Sequence, residues 1–159
     1  MNHLWAPWRM QYITQPKDDD CIFCTKPKED NDHKNLILQR GKNNFIILNA
    51  YPYNPGHLMV VFYRHIANME DLNSEETKEH FELIQKSITV LKNTVHPSGF
   101  NVGLNIGKVA GAGVEGHLHT HIVPRWQGDV NFMPVIGETR VVSEGLDKTY
   151  NKIKDAFSL

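Results

Sequence analysis

Short apolar runs separated by turn residues occupy much of the chain, and they predict a β-sheet. β-Branched and apolar residues cluster in five segments that each suit one strand, at 43–50, 57–64, 100–107, 117–124 and 139–143. The prolines and glycine of YPYNPG predict a tight connection between the first two strands. Because few helices interrupt these segments, the pattern favours an α+β domain with a mostly antiparallel sheet of about five strands.

Two helices complete the predicted fold, one long and one C-terminal. In the long helix, apolar residues step by three and four along one face, at Phe81, Ile84, Ile88, Leu91 and Val95. Asn73 or Ser74 can cap this helix, and Asn73 with Glu76 has the spacing of a capping box. The segment HPSG ends it. The C-terminal helix has the same stepping, through Leu146, Tyr150, Ile153 and Phe157.

Length and composition indicate a single domain over 1–159, with an irregular segment at 1–35. The chain has 159 residues, is 40% hydrophobic and carries a formal net charge of -1. It therefore has no global attraction to nucleic acid. No apolar run is long enough to cross a bilayer, and the N-terminus lacks the apolar stretch and cleavage site of a signal peptide. We expect a cytoplasmic protein that binds neither nucleic acid nor membrane.

The segment HLHTHIVP places three histidines at alternate positions of one predicted strand. Because side chains alternate across a strand, His117, His119 and His121 share one face; we call them the histidine row. Such a row suits metal binding, nucleophilic attack or acid–base chemistry near neutral pH. An exposed polar face without function is the plain alternative.

A glycine-rich loop, KVAGAGVEG at 108–116, precedes the histidine row. Glycine lets the backbone approach an anion, and successive amide groups can then cradle a phosphate. A flexible hairpin connection has the same composition. We call this segment the glycine loop.

The chain has two cysteines, Cys21 and Cys24, in a Cys-x-x-Cys pair. Two thiolates at this spacing supply half of a tetrahedral zinc site. A redox pair and two reduced thiols without metal are the alternatives.

The segment HLHTHIV resembles the signature of the histidine triad (HIT) family, in which three histidines alternate with apolar residues. Thr120 departs from that signature, because an apolar residue is usual there. LWAPWRMQYI at 4–13, the segment 101–137 and the VVSEGL that follows are similar to a bacterial, Fhit-like branch of the family, described as diadenosine tetraphosphate phosphorylases. The resemblance implies the HIT fold, an antiparallel sheet with a long helix, and a homodimer.

The resemblance also implies a reaction at an α-phosphate of a dinucleoside polyphosphate or a purine mononucleotide. His119 would attack phosphorus and form a nucleotidyl-histidine, which water or inorganic phosphate then displaces. His121 would contact a non-bridging oxygen or the leaving group, and Asn105 would contact the phosphate. Backbone amides near Gly113 and Val114 would meet the charge that develops on the phosphoryl oxygens. Many relatives have Ser, Thr or Gln where Gly113 stands.

Residues on the first two predicted strands match the family's nucleoside end. Asn49 lies eight residues before His57, the spacing at which the family holds the ribose hydroxyls. A turn residue bonded to its own backbone is the alternative for Asn49. His57 would support the site or form part of an adenine wall. Apolar residues would cover the base, namely Phe45, Ile47 and Leu48.

The segment PRWQGDVNF continues past the histidine row and suggests further contacts. Arg125 is expected to offer a bidentate fork to a distal phosphate. Trp126 is expected to cover the second nucleoside or to gate access. Asp129 and Asn131 would support the loop. An ordered loop with a buried tryptophan is the alternative.

Two histidines complete the zinc site that the resemblance implies, His65 and His117. With Cys21 and Cys24 they give four protein ligands, so this zinc would be structural and not catalytic. His33 is the alternative fourth ligand, and no organic cofactor is expected. The remaining histidines are expected at the surface or at helix ends: His3, His80 and His96.

Two rival functions stay open at this point. A metal-dependent hydrolase would use the whole histidine row as metal ligands, with Glu115 or Asp129 as the nearby acid. A nucleotide-binding module would bind the same ligand without turnover.

Overall fold

The computed structural model describes residues 21–129 and 144–158. Within these residues, five strands form one antiparallel sheet in the order β1-β2-β3-β5-β4, which confirms the predicted α+β class. The strands are β1 (Ile37–Arg40), β2 (Asn44–Leu48), β3 (Leu58–Phe62), β4 (Gly99–Leu104) and β5 (His119–Arg125). The α-helices are α1 (Ile22–Thr25), α2 (Asp32–Asn35), α3 (Ser74–Val95) and α4 (Leu146–Phe157). Within the described ranges, no helix is both long and apolar enough to span a bilayer.

Four of the strands lie where the sequence pattern predicts them, and β1 is an addition. The predicted strand at 139–143 lies outside the described residues. The prediction of an irregular segment up to residue 35 was wrong for its second half, because α1, the 3-10 turn Lys26–Lys28 and α2 follow one another there. These elements are one turn each, too short to show a periodic apolar pattern.

The long helix begins and ends as predicted. Asn73 accepts a hydrogen bond from the Glu76 amide, and the Glu76 side chain returns one to the Asn73 amide, so the capping box is present. The helix ends at His96, whose backbone is left-handed with a φ of 49°. His96 is exposed at this helix end, as expected.

The buried face of α3 is rotated from the predicted one. Phe81, predicted on that face, is 61% exposed. The buried residues include polar ones, among them His80 and Ser87. The prediction used only apolar residues, so it did not include these positions. The expectation that His80 lies at the surface was therefore wrong, because its ring is 4% exposed.

The two faces of the sheet have different roles. Helices α3 and α4 pack on one face, over a core that includes Leu48, Leu58 and Ile122. Leu48 is thus buried under the helices, and its predicted contact with a nucleobase was wrong. The opposite face carries a smaller cluster in which Phe23 of α1 packs on the sheet residues Phe45, Ile47, Met59 and Val61. The histidine row lies on this second face.

A buried chain of hydrogen bonds crosses from β5 to α3 and explains the departure at Thr120. The Thr120 hydroxyl donates to Nε2 of His80 over 2.7 Å, and Nδ1 of His80 donates to Oδ1 of Asn44 over 2.8 Å. The direction follows from Asn44, whose Nδ2 donates to the Glu79 carboxylate at 3.1 Å. We call Thr120, His80, Asn44 and Glu79 the polar chain. A polar residue fits at position 120 because His80 satisfies it.

Candidate active site

His119 and His121 of the histidine row lie on β5 inside the sheet, and His117 lies two residues before that strand. β5 is flanked by β3 and β4, and His119 and His121 pair with Val61 and Met59 of β3. His117 and His119 are buried, and His121 is partly buried. The alternative of an exposed polar face is therefore wrong for this strand.

The His119 ring is held in one tautomer by the backbone of its neighbour. Its Nδ1 donates to the carbonyl oxygen of His117 over 2.8 Å. Nδ1 therefore carries the proton, and Nε2 keeps a free lone pair. Burial lowers the pKa of His119, and the hydrogen bond to His117 only opposes that shift. The ring is a neutral imidazole at neutral pH, the form that can attack an electrophile.

In His121 the proton is on the other ring nitrogen, Nε2. The Tyr53 amide donates to Nδ1 of His57 over 3.1 Å, so the proton of His57 is on Nε2. That Nε2 lies 2.9 Å from Nδ1 of His121 and donates to it. Nε2 of His121 must then carry a proton. One row thus presents a lone pair on His119 and a hydrogen-bond donor on His121.

The surroundings keep His121 neutral. Burial, and then the proximity of His119, lower the pKa of His121 to about 4. Its donor is therefore a neutral N–H group. His57 is 0% exposed, so of its two predicted roles the support of the site fits the structure and the adenine wall does not.

The connection between β2 and β3 supplies two aromatic residues that the sequence prediction did not include. Tyr51 and Tyr53 are both exposed. The Tyr53 ring lies 4.7 Å from that of His57 and 6.1 Å from that of His121, centroid to centroid. The sequence could have indicated these two tyrosines, because YPYNPG lies between Asn49 and His57, two predicted site residues.

Asn49 makes a turn contact with the backbone and lies beside His57. Its Oδ1 accepts from the Tyr51 amide over 2.9 Å. This is the contact expected of a turn residue that bonds to the nearby backbone. Its Nδ2 lies 3.4 Å from Nδ1 of His57, at the edge of the histidine row. The side chain is partly exposed, so it is also accessible to a ligand.

The glycine loop runs beside the histidine row. Within the described residues, its amides from 113 to 116 make no backbone hydrogen bond, as a phosphate cradle requires. Asn105, which directly follows β4, donates from Nδ2 to the carbonyl of Gly111 over 3.4 Å, so it supports the loop. Val114 packs against the cluster beneath His119. Phe45 is fully buried in that cluster, so its predicted base contact was wrong and it forms the floor of the site.

The side chains of Arg125 and Trp126 both hydrogen-bond to other residues of the protein. The Arg125 guanidinium is paired with both carboxylate oxygens of Asp129, at 2.7 and 2.8 Å, and with Asn101 at 2.6 Å. Its contact with a distal phosphate stays a prediction, and that contact would have to replace the pairing with Asp129. This pairing holds the pKa of Asp129 well below its usual range. Asp129 supports the loop as predicted, whereas Asn131 lies outside the described residues.

Trp126 belongs to another surface of the molecule. Its indole N–H donates to the carbonyl of His96 over 3.1 Å. It lines a cavity of about 490 Å³ together with Val95 of α3 and Lys152 of α4, and no member of the histidine row lines that cavity. In this chain Trp126 therefore packs at the helix ends, as in the alternative of an ordered loop.

Cys21, Cys24, His65 and His117 meet in one place, and we call them the ligand cluster. One ligand atom from each lies within 4.8 Å of all the others. Nδ1 of His117 is 3.2 Å from Sγ of Cys21 and 3.5 Å from Sγ of Cys24, and Nδ1 of His65 is 3.3 Å from Sγ of Cys24. In tetrahedral zinc, bonds near 2.3 Å to sulfur and 2.05 Å to nitrogen separate the two atoms by about 3.6 Å. The donor set and spacing fit zinc.

The other nitrogen of His117 is also accounted for. Its Nε2 donates to the carbonyl of Phe62 over 2.7 Å, which leaves Nδ1 free for a metal. His33 packs 5.0 Å from the ring of Tyr150, so the alternative fourth ligand was wrong. Within the described residues, the group that could hold a metal includes only His117 of the histidine row. This division argues against a metal held by all three histidines.

Comparisons with known proteins identify a matching family model, curated relatives and similar folds. A family model, HIT domain, matches residues 30–128. The AP-4-A phosphorylase of Mycobacterium tuberculosis is 43% identical over 157 residues, which cover 94% of the chain and 80% of the relative. The bis(5'-adenosyl)-triphosphatase of Saccharomyces cerevisiae is 32% identical over 92 residues, 57% of the chain and 44% of the relative. The crystal structure of a Zn-bound histidine triad family protein from Mycobacterium smegmatis has a TM-score of 0.68 at 21% identity, covering 87% of the chain and 93% of that structure.

Proposed function

The chain belongs to the HIT family, and we propose that it cleaves dinucleoside polyphosphates such as diadenosine tetraphosphate at an α-phosphate. The observation that carries this proposal is that the neighbouring rings of His119 and His121 are protonated on different nitrogens. The hydrogen bond from Nδ1 of His119 to the His117 carbonyl leaves a nucleophilic nitrogen, and the bond from His57 makes His121 a donor. A nucleophile and a donor 4.9 Å apart, ring centroid to ring centroid, suit in-line displacement at phosphorus.

In the first step, Nε2 of His119 forms a bond to the α-phosphorus while the bond from that phosphorus to the bridging oxygen breaks. ATP leaves from diadenosine tetraphosphate, and AMP stays on His119. The Nε2–H group of His121 donates to the departing bridging oxygen. The amides of the glycine loop meet the charge on the non-bridging oxygens, where donors fixed in advance act most effectively. Asn105 supports the loop and lies beside the same phosphate.

In the second step, inorganic phosphate attacks the phosphorus of the nucleotidyl-histidine. ADP is released, and His119 returns to its neutral form. The 43% identity to an AP-4-A phosphorylase supports phosphate as the acceptor. Water on the same intermediate would release AMP.

At the nucleoside end, Asn49 holds the ribose hydroxyls with the part of its amide that the turn leaves accessible. An amide can both donate to and accept from a diol. The exposed ring of Tyr53 borders the same space.

The ligand cluster would hold zinc, which would join α1 to the segment that leads into β5. The ion would be a structural cross-link, because four protein ligands leave no open coordination position. Two thiols serving as ligands suit a reducing compartment such as the cytoplasm. Chelation is then expected to lower turnover only as fast as near-ultraviolet circular dichroism changes. Immediate loss with an unchanged spectrum would contradict a structural ion.

A homodimer forms through β4, which is an edge strand of the sheet among the described residues. An edge strand presents unpaired backbone groups, and exposed apolar residues lie on and after it, namely Val102, Ile106 and Val109. Sedimentation of the wild type should show a dimer, and Val102→Lys should shift it towards monomer. A monomeric wild type would contradict this part of the proposal.

Product analysis tests the proposed reaction. Diadenosine tetraphosphate is incubated with and without inorganic phosphate, and the nucleotides are separated by chromatography. ADP with ATP, formed only with phosphate, is the expected result. AMP with ATP in the absence of phosphate would identify a hydrolase. No turnover in either condition would contradict the proposed function.

A further inference from the structure

We propose that Phe23 is a positioning residue for His119, an inference that rests on the proposed role of His119 as nucleophile. Phe23 lies on α1 between the two cysteines and is 2% exposed. Its ring centroid lies 4.8 Å from that of His119, with a tilt of 51°. It also lies 5.4 Å from the ring of His117 in an edge contact. One phenyl ring therefore contacts both a metal-ligand candidate and the nucleophile.

The restraints on His119 show why this contact matters. The bond from Nδ1 to the His117 carbonyl fixes one point of the ring, but the ring can still tilt about that point. Phe23 packs beside it and limits that tilt. Removing the phenyl group would leave a void beside the imidazole, and the surrounding core closes such voids only partly. Nε2 would then lose its alignment with the phosphorus.

The segment CIFC thus contributes both to the ligand cluster and to the packing around His119 within one helical turn. Cys21 and Cys24 contribute thiols to the ligand cluster, and Phe23 points into the cluster beneath β5. Ile22, between the same cysteines, is 46% exposed. Ile22 therefore offers a matched control, because it changes the apolar content of α1 without touching His119.

The test compares zinc-loaded wild type with Phe23→Ala, Phe23→Leu and Ile22→Ala. Zinc content and Tm are measured first, then kcat and KM for diadenosine tetraphosphate at saturating phosphate. A misplacement near 1 Å costs roughly 100-fold in rate, so we expect kcat of Phe23→Ala to fall roughly 10- to 100-fold. KM should change less than about twofold, since positioning acts on the chemical step. Phe23→Leu should be intermediate, and Ile22→Ala should match the wild type.

A second readout does not depend on turnover. Long-range nitrogen–proton spectra of the imidazoles should show His119 as the Nδ1–H tautomer in the wild type. In Phe23→Ala the His119 signals should broaden or show both tautomers. Wild-type kcat together with an unchanged His119 spectrum in folded, zinc-replete Phe23→Ala would overturn the inference. If Phe23→Ala loses zinc or unfolds, Phe23→Leu decides by the same two readouts.

The spectrum also separates this inference from the proposed function. A wild type without turnover would refute the proposed reaction alone. The role of Phe23 would then be decided by the His119 signals, where a change supports it and an unchanged spectrum overturns it.

Discussion

The polar chain makes a quantitative prediction about stability. Thr120→Val removes the hydroxyl that donates to His80 at 2.7 Å. Nε2 of His80 is then left without a partner inside the protein, where its ring stacks on Phe62 at 4.2 Å. A buried acceptor that loses its partner costs about 1–3 kcal/mol. For a domain of this size, about 2 kcal/mol lowers Tm by roughly 4–8 °C.

A double-mutant cycle isolates the contact. His80→Leu removes the acceptor, so the further change Thr120→Val should then cost about 1–2 kcal/mol less than it does in the wild type. Urea unfolding of the four proteins gives the free energies. Thr94→Val is the matched control, because the Thr94 hydroxyl bonds within α3, to the Val90 carbonyl at 2.8 Å. A coupling energy below about 0.3 kcal/mol, the level expected of independent sites, would refute the buried bond.

Three further predictions concern pH, the histidine row and the glycine loop. Burial lowers the pKa of His80 to about 4, so the unfolded chain binds more protons between that pH and about 6.5. Stability should therefore fall as the pH falls through this window, and urea titrations of His80→Gln, whose amide offers an acceptor and a donor but does not titrate, should show a shallower fall; equal slopes would contradict burial of a neutral ring. His57→Phe removes the donor to His121, and kcat should fall roughly 5- to 150-fold, the equivalent of the about 1–3 kcal/mol that a buried polar group costs when its partner is lost; an unchanged rate of ATP release in rapid quench would refute the assigned tautomers. A Cβ at Gly113 meets nothing within 4 Å, so Gly113→Ser should fold normally and lower the KM for diadenosine tetraphosphate, and a raised KM would show that the added hydroxyl obstructs the phosphate.

Alternation and local spacing predicted much of the site. The strand of the histidine row placed His119 and His121 on one face, and the capping box at Asn73 fixed the start of the long helix. Alternation could not predict that His117 belongs to the ligand cluster while His119 and His121 do not. That assignment depends on Cys21, which is distant in sequence but lies 3.2 Å from His117. The resemblance to the HIT family supplied that pairing.

Other features depend on tertiary contacts that the sequence does not display. Leu48 and Phe45 are both apolar residues of β2, and they lie on opposite faces of the sheet. The sequence does not show which of the two faces the helices cover. Arg125 was expected at a phosphate because its fork suits one, but Asp129 lies four residues later and occupies it. His80 was assigned to the surface because nothing near it in sequence revealed its partner, Thr120, on another element.

The central claim is that Nε2 of His119 becomes bonded to the α-phosphorus during turnover. Rapid quench of the enzyme with diadenosine tetraphosphate in the absence of phosphate, followed by peptide mass spectrometry, tests it directly. We predict an adenylylated peptide whose modified residue is His119, formed as fast as ATP is released and cleared to ADP when phosphate is added. Turnover at the wild-type rate by His119→Ala, or an adduct on His121 instead, would contradict the account.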